Sequence, residues 1–215
     1  MSPTLTRERV EETVTRFVYP RPITFTEWLE VSGPDDLDEL IDGTIVEKPM
    51  VQLEHEKLNL WLFQTVGTYI SETQLGTVLG SRSPVRIGEF RGRMPDFFFV
   101  RKSREELITR KATLGAPDLV IELVSPNDRP SDITATETDY RTIGVAEIVS
   151  INQTKQSIRV LRKTDTGYTE ATLQNEPLVL QTLGGVTLEW DWIFVEPRPS
   201  VLQTLQRFLN PEYLL

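Results

Sequence analysis

Two Pro-Asp pairs, each followed at once by an apolar run, constrain this chain more than any other feature. Arg93-Met94-Pro95-Asp96 leads into Phe97-Phe98-Phe99-Val100, and Ala116-Pro117-Asp118 leads into Leu119-Val120-Ile121-Glu122-Leu123-Val124. Proline fixes φ and holds the residue before it extended, so each pair marks a strand entrance with a carboxylate at its mouth. Glu122 lies inside the second strand. A carboxylate among apolar strand residues loses hydration that a metal ion, a cation or several hydrogen-bond donors must replace. Asp96, Asp118 and Glu122 together therefore point to a hard-cation site.

Side chains alternate along a strand, so Met94, Asp96, Phe98 and Val100 share one face, and Val120, Glu122 and Val124 share one face of the next strand. If the two strands are neighbours, Asp96 and Glu122 converge, and two close carboxylates repel unless a divalent cation lies between them. The chain has no cysteine and one histidine, His55. Thiolate chemistry, disulfides, zinc ribbons and histidine cages are thereby excluded, leaving carboxylates and backbone oxygens as the metal ligands. Buried ion pairs are the competing account: Arg82, Arg86 or Arg93 could neutralise Asp96 or Glu122, and Asp118 could simply close a turn.

The pattern over all 215 residues reads as a single α+β domain. Residues 4–18 alternate charged and apolar positions at helical spacing, which predicts an N-terminal helical arm with its linker over residues 1–22. A short helix is expected from Thr26, acting as cap, to Val31, and Asp42-Gly43 signals a hairpin. Residues 54–70 carry the stripe of a long helix packed on a sheet. Strands follow near residues 76–79, 84–87, 95–100 and 119–124, mostly antiparallel. Residues 131–143 read as a helix, with Thr134 and Glu137 as a capping box and Gly144 as its stop. A strand at 146–151, a hairpin of 158–162 with 168–173, a strand at 186–190 and a helix at 200–209 complete the order. Residues 23–165 form the expected core and 166–215 a C-terminal hairpin and helix extension. The fold class is α/β of the α+β kind, a mixed sheet flanked by helices with additional β-hairpins. No glycine-rich phosphate loop follows a strand, which argues against Rossmann or P-loop nucleotide binding.

The formal charge of −9 opposes nonspecific attraction to nucleic acid. Local basic patches can overcome that mean, and the densest basic stretch is Arg101-Lys102-Ser103-Arg104 with Arg110-Lys111. No apolar run reaches membrane-span length and residues 1–8 lack a signal-peptide core, so the expectation is a soluble, cytoplasmic protein.

The segment APDLVIELVSPNDRPSD, preceded by RMPDFFFV and followed by DYRTIGVAEIVSI, resembles the Uma2 family of putative restriction endonucleases, members of the PD-(D/E)XK nuclease superfamily. The likeness runs from about Phe25 to Arg162 and takes in the IDG turn and the HEKL helix start. It implies a restriction-endonuclease-like fold, Mg²⁺ (or Mn²⁺) as cofactor, hydrolysis of DNA phosphodiester bonds, and a homodimer. By the same resemblance Asp96 is the metal-binding aspartate, Glu122 the acid of the E-x-K half motif and Asp118 the second Pro-Asp acid. Glu56, with His55 beside it, could approach the site, and Asp132 and Tyr140 match the family helix.

That helix departs from the pattern at Thr136, where the family places a lysine, and Val124 occupies the alternative strand position. Threonine cannot stabilise growing phosphoryl charge as an ammonium does, and losing such a contact commonly costs about two orders of magnitude in rate. The expected outcome is weakened activity unless Lys57, Arg129 or Arg141 substitutes. The alternative is a catalytically degenerate nuclease-fold protein acting as a binding or interaction module.

Overall fold

The computed structural model describes residues 8–11, 15–33, 36–48 and 52–210. Strands β1 (Glu8–Glu11) and β2 (Thr15–Val18) come first and pair antiparallel. Over residues 8–11 and 15–18 the expected N-terminal helix is thus corrected to a pair of strands, while its residues 4–7 and 12–14 lie outside the described residues. Val10, Thr15 and Val18 in these strands are β-branched, and that local preference outweighs the helical spacing of the charges.

Helix α1 (Phe25–Val31) is capped by Thr24 rather than Thr26, in a reciprocal capping box with Glu27. Strands β3 (Asp38–Ile41) and β4 (Thr44–Glu47) flank the Asp42-Gly43 turn, both of whose residues have positive φ, 50° and 75°. The long helix then follows in three pieces: α2 (Leu53–Leu62), a π-helical turn (Phe63–Gly67) and α3 (Thr68–Glu72).

Strands β5 (Gly76–Leu79), β6 (Val85–Gly88), β7 (Arg91–Arg93), β8 (Phe97–Arg101) and β9 (Leu119–Val124) precede α4 (Pro130–Ile143). Helix α4 begins one turn before the expected capping box, with proline in its first turn, and stops at Gly144 in the left-handed conformation. Glu137 does not cap the helix; it accepts hydrogen bonds from Ser150 and Arg159. After it come β10 (Glu147–Asn152), β11 (Ser157–Thr164), β12 (Gly167–Leu173), β13 (Leu178–Leu180), β14 (Val186–Leu188), α5 (Trp190–Phe194) and α6 (Val201–Leu209).

The central sheet has the order β12-β11-β10-β9-β8-β5. Its pairs are antiparallel except β9–β10, which run parallel and are joined by α4, the kind of crossover a parallel pair requires. The period-2 pattern of the apolar runs is realised on its two faces. Phe97, Phe99, Leu119, Ile121 and Leu123 pack with α2, α3 and the C-terminal elements. Phe98, Val100, Val120 and Ile148 pack with Tyr140 of α4. Burying each phenylalanine of the triplet contributes about 1.5–3 kcal/mol. These strands are consequently a rigid base for whatever stands at their ends.

A second sheet, β1-β2-β4-β3-β7-β6, packs with α1 around Trp28, Phe25, Ile23 and Leu40. Residues 94–96 carry the chain from β7 of this sheet into β8 of the central one. Asp96 therefore stands at the joint between the two sheets. Among the described residues no helix is long and apolar enough to cross a membrane.

Candidate active site

The joint brings Asp96 and Glu122 together. Phe97 pairs with Ile121, so the residues just before Phe97 and just after Ile121 lie side by side at one end of the β8–β9 ladder. Asp96 Oδ2 accepts the backbone N–H of Leu123 at 2.9 Å, and the Asp96 N–H donates to Glu122 Oε2 at 3.4 Å. On the far side, the Tyr140 hydroxyl of α4 donates to Glu122 Oε1 in a short hydrogen bond. The second acid is therefore gripped between a strand and a helix.

His55, from the first turn of α2, completes the other flank with Nε2 at 3.2 Å from Asp96 Oδ2. Its Nδ1 has no hydrogen-bond partner among the described residues, and the exposed Glu56 carboxylate lies 3.6 Å from it. Among the described residues, Glu56 thus meets the site through His55. One turn on, the Asn59 side chain donates to Ser81 Oγ at 3.3 Å while its buried Oδ1 is left unpaired among the described residues. Ser81 in turn donates its N–H to the Asp96 carbonyl.

The residue that sequence reasoning missed is Lys48, immediately after β4. Its backbone N–H donates to Leu37 O at 2.7 Å and its Nζ to Met94 O at 3.0 Å. The ammonium lies 3.8 Å from Glu39 Oε1. Glu39 is more closely held by Arg93, whose Nη1 donates at 2.7 Å, and by the N–H of Met94 at 3.2 Å. Burial works against the charge of Lys48, yet Glu39, Asp96 and Glu122 together overcome it and raise its pKa. The signal available in the sequence was a lone lysine at the end of a hairpin strand, which by itself reads as surface.

The two acids are held in different states. Burial opposes ionisation of Asp96, but Lys48, His55 and the Leu123 N–H keep its pKa below the usual value. Glu122 is pushed up to about 8 by burial and then by the charge of Asp96, against the smaller pull of Lys48 and Tyr140. His55 is raised: burial disfavours its charge, but the Asp96 carboxylate more than compensates. One carboxylate ionised and one proton-loaded beside it is the arrangement two close acids adopt when the surrounding positive charge is insufficient for both.

Asp118 is placed elsewhere, and its expected role is corrected. It lies four residues before Glu122, about 13 Å along the strand, at the opposite end of β8. There its Oδ2 accepts the Arg101 N–H at 2.9 Å and its Oδ1 pairs with Arg104 at 3.0 Å. Asp132 pairs with Arg129 on the exposed start of α4. Of the expected lysine substitutes, Lys57 is exposed, Arg129 is bound to Asp132, and Arg141 pairs with Glu170. Arg93 is bound instead to Glu39 and to Asp139, with which its Nη2 makes a 2.6 Å ion pair. A cavity of about 470 Å³ beside α4 has Asp128, Glu137, Arg141 and Arg159 in its wall, but none of Asp96, Glu122 or Lys48.

A family model described as putative restriction endonuclease, Uma2, matches residues 24–191, most of the chain. The protein belongs to the Uma2 family. The Uma2 match spans the central sheet, strands β3, β4, β6 and β7 of the second sheet, α4 and every residue of the acidic site. The fold is also that of a crystal structure described as a putative nuclease belonging to DUF820 from Anabaena variabilis ATCC 29413. That chain is 19% identical with a TM-score of 0.68, the alignment covering 80% of this chain and 98% of that one. No curated protein matches. The expected restriction-endonuclease-like mixed sheet is thus the fold of this Uma2 protein.

Proposed function

We propose that this protein is a Mg²⁺-dependent endonuclease that hydrolyses DNA phosphodiester bonds at the Asp96–Glu122 pair, with Mn²⁺ able to replace Mg²⁺. The observation that carries this reading is the pairing itself: two carboxylates from adjacent strands, linked at 3.4 Å through the Asp96 N–H, on a scaffold that leaves Glu122 short of positive charge.

The donor set fits Mg²⁺ in its ordinary mode. Among the described residues no three His, Cys, Asp or Glu side chains converge into a complete cage. Mg²⁺ does not require one, because it commonly binds through one or two carboxylates and fills its octahedron with waters and substrate phosphate oxygens. Bound there, it supplies Lewis-acid polarisation of the phosphoryl oxygen and a more acidic water. Glu122 must give up its proton to become a ligand, and Tyr140 holds the carboxylate in place as it does so. Asp96 is already ionised and is oriented by the Leu123 N–H and His55.

DNA as substrate follows the family description. A homodimer, placing one site on each strand, and a cytoplasmic setting, consistent with a chain without cysteine, belong to the same reading. A second reading, a nuclease fold without turnover, is favoured by Thr136, which leaves α4 without an ammonium beside Tyr140, and by the −9 charge.

Calorimetric titration of Mn²⁺ into the wild type, Asp96→Asn and Glu122→Gln tests the site without knowledge of the target sequence. The expected result is saturable binding lost in both variants, with plasmid cleavage in Mg²⁺ or Mn²⁺ lost in parallel. Wild-type protein that binds no metal up to millimolar concentration, and cuts no DNA with either ion, is incompatible with the proposal. Metal binding without cleavage selects the second reading.

A further inference from the structure

We infer that Lys48, delivered from the second sheet, is the phosphate-contacting cation of the Asp96–Glu122 site. This rests on the reading of that site as a phosphodiester hydrolase.

The geometry argues against a merely structural lysine. A lysine whose purpose was to neutralise Glu39 would make the short contact, but Arg93 makes it, at 2.7 Å, while the Lys48 ammonium stands off at 3.8 Å. The hydrogen bond that Lys48 does make, to the Met94 carbonyl, fixes its Nζ two residues before Asp96, at the joint where the acids meet. Its backbone is anchored as well, through the bond to Leu37 O. The long side chain is therefore held at both ends. Its side chain is still 31% exposed, which leaves it open to the solvent side of the joint.

An ammonium has three donors, and Met94 O occupies one. The other two are available to a phosphate placed against the acids. α4 supplies no competing cation: Tyr140 faces Glu122, and Thr136 occupies the equivalent position one helical turn earlier on the same face.

In the reaction, a water oxygen forms a bond to phosphorus and the ester P–O bond breaks, its electron pair remaining on the leaving oxygen. One water proton passes to solvent, and the leaving oxygen takes one from solvent. Charge on the non-bridging oxygens is met by the Lys48 ammonium, which donates a hydrogen bond to one of them.

The test uses the full chain and inorganic phosphate as probe, with Lys48→Met, Lys48→Arg and the double variant Lys48→Met/Thr136→Lys. By calorimetry, Lys48→Met is expected to weaken phosphate binding about tenfold or more, as loss of a charge-assisted hydrogen bond does. In the same variant Mn²⁺ binds more tightly, because a repelling cation has been removed. Plasmid cleavage by the wild type falls about a hundredfold in Lys48→Met. Lys48→Arg keeps most of the phosphate affinity, and Thr136→Lys, placing an ammonium beside Tyr140, restores part of what Lys48→Met loses. Lys48→Met that melts and binds metal and phosphate like the wild type overturns this role. Failure of the wild type to bind Mn²⁺ sinks the metal reading instead, and the phosphate titration without metal still decides Lys48. Circular dichroism of each variant separates loss of function from loss of fold.

Discussion

The Tyr140 hydroxyl donates to Oε1 of Glu122, tying the last turns of α4 to the strand that carries the second acid. Tyr140 is fully buried, so this bond has no water to replace it. Tyr140→Phe is expected to cost about 1.5–3 kcal/mol in stability where Glu122 is ionised, the range for a hydrogen bond to a charged group. The hydroxyl also lowers the pKa of Glu122. Its removal must therefore shift the pH midpoint of Mn²⁺ binding upward, and a midpoint that stays put or falls would show that Tyr140 does not support the carboxylate.

The pH dependence of the metal-free protein follows from the same cluster, in which Asp96, Lys48, Tyr140 and Glu39 all act on Glu122. The carboxyl titrates near 4.5 when unfolded and at about 8 when folded. Between those values the folded state retains a proton that the unfolded state has lost, so stability falls as pH rises. His55, raised by Asp96, acts in the same direction: its contribution is complete below its unfolded value of 6.5 and is lost as pH climbs through the folded one. Asp96 acts in a lower window, its contribution being lost as pH falls below 3.8. Thermal melts in chelator should therefore decline from about pH 4.5 to about 8. Mn²⁺ should stabilise most at the alkaline end, where no proton competes for Glu122. A chelated melting temperature that rises across that window contradicts the assignment.

The acids were legible in the sequence because proline and strand alternation fix local geometry. Pro95 and Pro117 mark strand entrances, and a period of two puts Glu122 on the face of Val120. Whether an acid meets a metal site or an arginine is a tertiary matter that no local rule contains. Asp96 and Asp118 both complete a Pro-Asp pair, yet one stands beside Glu122 and the other beside Arg104, because β8 and β9 are antiparallel and their entrances lie at opposite ends of the ladder. Lys48 was invisible for a related reason. It comes from a separate sheet and is directed by the Met94 carbonyl, 46 residues away in the chain.

Asp118 consequently gives a contrasting prediction. Asp118→Ala removes the acceptor of the Arg101 N–H and the partner of Arg104, at an expected cost of about 1.5–3 kcal/mol in urea melts. Mn²⁺ affinity should be that of the wild type. Loss of metal binding in a variant that remains folded would return Asp118 to the site.

Arg93 stands between Glu39 and Asp139 and is almost wholly buried, with a side chain 8% exposed. Arg93→Met removes the cation these two carboxylates share, leaving Glu39 to Lys48 at 3.8 Å and Asp139 to Arg91 at 2.6 Å. Removing one partner of a buried ion pair typically costs about 3–5 kcal/mol. The loss should appear as a lower urea midpoint. Glu39→Gln in the same chain should recover part of it, since one of the two carboxylates that lost Arg93 is then neutral. Simple addition of the two losses would mean that Arg93 and Glu39 are not coupled.

Gly80, just beyond β5, lies so close to Asp96 that a Cβ there would fall 2.2 Å from the Asp96 carbonyl oxygen and 2.6 Å from the Phe63 ring. The ring can turn, but the carbonyl belongs to the backbone that positions the first acid, and it also accepts the Ser81 N–H. Gly80→Ala therefore has to push residue 96 away from Glu122 and Leu123. Overpacking of this kind costs about 1–3 kcal/mol in stability. The more telling effect is on the site, where a displacement of even about 1 Å can cost two orders of magnitude in rate. Mn²⁺ binding and plasmid cleavage should both fall in Gly80→Ala by more than its loss of stability explains, with the circular dichroism spectrum unchanged. Wild-type metal affinity in that variant would mean that the position of Asp96 is not set by its backbone, and the two-carboxylate site would need another anchor.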